Sequence, residues 1–129
     1  MKSILWVVVS AALLFAGCET QPHDPQEKAM EIITRRKFSE PVNREEVSRD
    51  WKTRGYSCDL FTDPPGREWN GFVHATDELV TVVEGEMQMT VGEETVIARP
   101  GDEVFIPRGA VHSVKNIHNG TSRWLYGYN

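Results

Sequence analysis

Three side chains in this sequence, two imidazoles and a carboxylate, are of the types that could share one divalent metal ion. His74 and Glu78 flank Ala75-Thr76-Asp77, immediately before the apolar stretch Leu79 to Val83. His112 follows a Pro107-Arg108-Gly109 turn in the run Gly101 to Asn116. A strand ending in a Pro-x-Gly turn can aim a histidine into a small β-barrel. Two imidazoles and a carboxylate fill part of a coordination sphere and leave positions open for water or a small molecule. The carboxylate offsets the ion's charge. Imidazole binds only when deprotonated, so occupancy must fall in acid.

Each residue also has a plainer reading. His112 can satisfy backbone groups of its turn, and His74 can sit at a barrel mouth bonded to a neighbour. Glu78, or Asp77 beside it, can be a solvated turn acid. Of these two acids only Glu78 is separated from Gly85 by six residues. His118 falls in a His-Asn-Gly turn and His23 in a polar, proline-containing stretch, so neither is expected as a ligand.

The elements that must position these groups are mostly strands. From Tyr56 onward short segments alternate with turn signals: Tyr56–Thr62, Leu79–Glu84, Met87–Val91, Thr95–Arg99, Val104–Ile106, Ser113–Ile117 and Arg123–Tyr128. Met87, Met89 and Val91 share one face while Gln88 and Thr90 take the other, the period of a half-buried strand. Many short strands so evenly spaced indicate a sandwich or barrel, an all-β fold. Asn43 can cap a preceding helix, with Glu46 completing a capping-box-like pair and Val47 and Trp51 on one face. Gly55 suits the position past its end. A looser apolar pattern over Glu27 to Phe38 allows another short helix. Trp69, Phe105, Trp124, Tyr126 and Tyr128 are assigned to the core, and Glu84, Glu86, Glu93, Glu94, Asp102 and Glu103 to the solvated side.

With these residues in view, Gly71 to Asn116 resembles the cupin superfamily, small double-stranded β-helix (jelly-roll) barrels with two sequence motifs. Gly101, Pro107, Gly109, His112 and Asn116 satisfy every position of the second motif. His74, Glu78 and Gly85 match the second His, the Glu and the Gly of the first, and Phe72 stands where the first His belongs. The resemblance implies a single jelly-roll barrel with a metal held by His74, Glu78 and His112. Full cupin sites use three histidines and a glutamate, so this chain offers the reduced two-His-one-carboxylate set. That set suits Fe(II), and also Mn, Ni or Zn. Phe72 then lines the substrate pocket and makes one side apolar. Cupins include dioxygenases, isomerases and binding modules, so the fold supplies no reaction. A metal-free module for a small ligand and a structural envelope lipoprotein remain as alternatives.

The chain has 129 residues, 40% hydrophobic and 26% charged, with a formal net charge of -5. This is room for one domain. No Lys/Arg cluster stands out against the acidic balance, so nucleic acid is not an expected partner. Lys2, the apolar run Ile4 to Ala16 and Ala16-Gly17-Cys18 read as a lipoprotein signal peptide over 1–17, with Cys18 as the lipidated residue. An ordinary secretory leader is the alternative. Acyl chains on Cys18 would anchor the chain to the bacterial envelope, at the outer membrane if the cell is Gram-negative. Residues 18–42 are expected as a tether with a possible short helix, and 43–129 as the barrel with its N-terminal helix. Cys58 is then the one remaining thiol, expected as a small buried apolar residue, and the fold rests on its core without an intrachain disulfide. Exposed β-edges make a homodimer an option.

Overall fold

The computed structural model describes Gly17 and residues 31–129. The leader over 1–16, Cys18, His23 and the first part of the expected tether lie outside the described residues.

Two antiparallel sheets face each other. β1 (Ile33–Thr34), β2 (Asp59–Asp63), β4 (Glu78–Glu84), β7 (Glu103–Ile106) and β9 (Ser122–Tyr128) form one, in the order β1-β7-β4-β9-β2. β3 (Glu68–Phe72), β5 (Met87–Val91), β6 (Glu94–Ala98) and β8 (His112–Asn116) form the other, in the order β3-β8-β5-β6. This is the expected all-β jelly roll.

Central strand β4 explains why one part of the sequence is continuously apolar. Val80 and Val82 join Met87, Met89, Val104 and Val114 between the sheets. Leu79, on the opposite face by alternation, packs with Val47, Trp51, Leu125 and Phe38 beneath α1 (Arg44–Thr53). A strand covered on both faces has no polar side to alternate with. The helix begins where its cap predicts. Asn43 Oδ1 accepts from the backbone N–H of Glu45 and Glu46 at 2.9 and 3.2 Å. Val47 and Trp51 are wholly buried, each contributing about 1.5–3 kcal/mol of apolar burial.

Gly101 of the second motif has φ of +89°, and a Cβ there would run into the Phe38 carbonyl oxygen. That carbonyl belongs to the N-terminal segment, and Phe38 N–H donates back to the Gly101 oxygen at 3.0 Å. The glycine therefore admits a close backbone crossing as well as a left-handed turn.

Two expectations are corrected. The described part of Glu27–Phe38 is not helical. Ile32, Ile33 and Thr34 are consecutive β-branched residues that favour extended backbone, and β1 pairs Ile33 with Val104. From residue 31 the stretch expected as a tether is thus part of the barrel, with Ile32, Ile33 and Phe38 buried. Asp102 and Glu103 are not solvated acids but are 4% and 7% exposed. Asp102 accepts from the backbone N–H of Arg36 and Arg99 and from the Arg35 guanidinium. Glu103 accepts from Trp51 Nε1 at 2.8 Å and from Arg54. Buried acids are tolerated when their oxygens are filled in this way.

Candidate metal centre

Three adjoining elements deliver the three side chains. Glu78 opens β4, and alternation with Val80 and Val82 turns it into the barrel. His112 opens β8, which lies in the opposite sheet. His74 stands in the connection between β3 and β4. The Pro107-Arg108-Gly109 turn holds the two motifs together. Gly109 N–H donates to the His74 carbonyl at 2.9 Å, and Arg108 N–H donates to the Asp77 carboxylate at 2.8 Å. Asp77 is further engaged by the Arg108 guanidinium and the Asn129 amide. These bonds, led by the Arg108 N–H, hold its carboxyl below the usual range. Glu78, and not its neighbour, is the acid that reaches the interior.

His74, Glu78 and His112 each place one ligand atom so that all lie within 4.8 Å of one another. Glu78 Oε2 is 3.4 Å from His74 Nε2 and 3.4 Å from His112 Nε2. For bonds of about 2.0–2.2 Å, ligand atoms on one ion stand about 3.0 Å apart at a right angle and about 3.4 Å apart at a tetrahedral one. The two spacings from Glu78 match the wider case. Glu78 Oε2 is also buried with no hydrogen-bond partner among the described residues. A buried carboxylate oxygen facing two imidazole nitrogens is a donor set that could hold a divalent metal.

His112 is fixed by what lies behind it. Its Nδ1 is 3.1 Å from the Ala110 carbonyl, which can only accept, so Nδ1 carries the proton. In the neutral ring Nε2 then keeps its lone pair toward Glu78. Without an ion, burial opposes the imidazolium, but Glu78 and the Ala110 carbonyl outweigh it and raise the His112 pKa above its ordinary value. Tyr128 lies opposite Glu78 across β4 and β9 and brings its hydroxyl to 3.5 Å from His74 Nε2. Burial first, then the charge of Glu78, pushes its phenol up to about 12, so it stays protonated.

Above this centre is a cavity of about 230 Å³. Phe72 lines it and is 38% exposed at the rim. Phe61, Trp69, Trp124, Tyr126 and Tyr128 supply most of the remaining wall. Residue typing alone assigned Trp69, Trp124 and the tyrosines to the core. The shared face of Trp124, Tyr126 and Tyr128 was the available signal, because it is the same face of the sheet that carries Glu78. Asp63 is wholly buried and accepts from Trp69 Nε1 at 3.0 Å and Trp124 Nε1 at 2.9 Å. Asn116 braces the far end. Its amide N–H groups donate to the carbonyls of Asp63, Pro64 and Gly120, and its Oδ1 accepts from Ser122 and His118 N–H. His118 is exposed, and Cys58 is half-buried, its thiol pushed up chiefly by burial.

A two-sheet jelly roll with this motif pair inside defines a class, and the Cupin domain family model matches residues 59–128. The chain belongs to the cupin family. It is 33% identical over 66 residues to the uncharacterized protein SCO3923 of Streptomyces coelicolor, an alignment spanning 51% of this chain and 63% of that one. Among solved structures it is similar to TT1209 from Thermus thermophilus, with 31% identity, a TM-score of 0.53, and coverage of 57% of this chain and 71% of the other. A cupin 2 domain-containing protein from Halorhodospira halophila shares the fold at 20% identity and a TM-score of 0.54, covering 57% of this chain and 52% of that one.

Proposed function

We propose that this chain is an exported, lipid-anchored cupin that binds one divalent first-row metal ion through His74, Glu78 and His112. The observation that carries the reading is the buried, unpartnered Glu78 Oε2 held 3.4 Å from both imidazole Nε2 atoms. Bound there, the ion would act as a Lewis acid toward a small molecule in its open positions. The chain's own residues do the rest. Ala110 sets the His112 tautomer, Tyr128 presents a neutral hydroxyl beside His74, and the aromatic walls keep water from the apolar side of the cavity.

Elemental analysis of protein purified from its native compartment tests this. Stoichiometric metal that disappears in His112→Ala and Glu78→Ala is the expected result. No metal under any supplementation would favour the metal-free binding module, which Phe72 in the first-His position also suits. Export and anchoring rest on Lys2, the apolar run and Ala16-Gly17-Cys18. Labelling with a radioactive fatty acid should mark the protein, and Cys18→Ser should remove both the label and the membrane association.

A further inference from the structure

The cavity's chemistry is as one-sided as its position. Its polar atoms belong to His74, Glu78, His112 and the phenols of Tyr126 and Tyr128, and among the described residues no lysine or arginine lines it. Both indoles of the wall have their N–H groups occupied, since Trp69 and Trp124 each donate to Asp63. What these tryptophans show to the cavity is therefore ring and not donor. Phe61 packs edge-on against Trp69 at a centroid distance of 5.7 Å, and Phe72 lies 6.0 Å from Trp69. The result is a continuous aromatic surface facing a small polar end.

Those facts sort ligand classes. A sugar needs donors and acceptors around its whole rim, and this wall has none to spare. A phosphate or dicarboxylate brings more negative charge than one divalent ion with a Glu78 carboxylate can neutralise, and no basic side chain among the described residues lines the cavity to help. Two neutral imidazoles, one carboxylate and a divalent cation leave a single positive charge, which one monoanion balances. The volume, about 230 Å³, equals roughly eight waters' share of liquid, so a ligand of roughly ten heavy atoms fills it.

We infer that the site takes a small monoanionic oxygen donor with a flat apolar body, its charged end on the His74–Glu78–His112 centre and its body against Trp69, Phe61 and Phe72. This rests on the metal-centre reading above and assigns the substrate class of that same site.

Calorimetric titration of the zinc-loaded full-length chain with benzoate, acetate, benzamide and glucose tests it. Benzoate should bind at least about tenfold more tightly than acetate, for want of a ring, and than benzamide, for want of charge. Glucose should give no binding. Phe72→Ala, at an exposed position that threatens the fold little, and Trp69→Leu should each weaken benzoate several-fold more than they weaken acetate. Zinc binding without discrimination between benzoate and acetate, equal binding of glucose, or full benzoate affinity in both variants would overturn the inference alone. A chain that takes no zinc overturns it together with the metal-centre reading.

Discussion

Phe72 faces His112 directly across β3 and β8, their rings 6.1 Å apart. The aromatic residue in the first-His position is therefore a neighbour of the centre, also stacked on His74 at 6.1 Å. Its side chain is half-exposed at the rim, so a smaller polar ring can replace it without opening a core cavity. Phe72→His should supply a third imidazole and tighten metal binding by at least about tenfold, since even partners that merely orient ligands are worth 10–100-fold. Competition against a chromogenic chelator measures this. An unchanged affinity would mean that the backbone at this position, displaced by the bulge between Trp69 and Phe72, cannot aim a ring inward.

The acid and the buried imidazole set opposite pH dependences with and without metal. In the metal-free protein the His112 pKa is raised above 6.5. Its protonated form then stabilises the fold fully below pH 6.5, and this contribution is lost as pH rises through the raised value. Metal requires the deprotonated ring, so metal-dependent stabilisation must grow over the same interval. Thermal midpoints of chelated and metal-loaded protein should diverge as pH rises from about 6 to 8, and His112→Ala should abolish the divergence. Parallel curves would remove His112 from the ligand set.

Asp63 holds both tryptophans of the pocket wall from one buried carboxylate, with Arg67 3.7 Å from it and stacked over Trp69 at 4.1 Å. Asp63→Ala leaves two indole donors unpaired at about 1–3 kcal/mol each. Asp63→Asn keeps one acceptor oxygen and should lose about half as much. Denaturant unfolding followed by tryptophan fluorescence reads both. Metal affinity should survive in Asp63→Asn, because the wall and the ligands stand on different strands.

What the sequence showed and what it hid follow from the range of the interactions involved. The motif glycines, Pro107 and His112 are legible because their constraint is local: a left-handed φ, a tight turn, a ring just beyond it. The strand segments are legible from alternation, and the Asn43 cap from a bond to residues two and three places on. Asp102 and Glu103 were misread because each is paired with partners far away in sequence. Arg35 lies 67 positions from Asp102 and Trp51 lies 52 from Glu103. No local pattern separates a buried acid with distant donors from an exposed one. Ile32 and Ile33 were read as helix because a two-residue strand is too short to show a period, although consecutive β-branched residues and the pairing with β7 both favour extended backbone.

Asp102 turns that distant pairing into a measurable acid sensitivity. Burial alone would raise its carboxyl, but the N–H groups of Arg36 and Arg99 and the Arg35 guanidinium at 2.8 Å prevail and lower it below 3.8. The stabilisation is present above the unfolded value and disappears as pH falls through the folded one. Asp102→Asn removes the titrating group, so its stability relative to the parent should be lowest near neutrality and should approach the parent's as pH drops below about 4. The loss should centre on the N-terminal segment, since Asp102 ties Arg35 and Arg36 to the turn between β6 and β7. Hydrogen exchange should then show faster opening at Phe105 N–H, which donates to Ile32, with the His74–Glu78–His112 centre still able to bind metal. A uniform loss of protection across β4 and β9 would instead make Asp102 a support of the whole barrel.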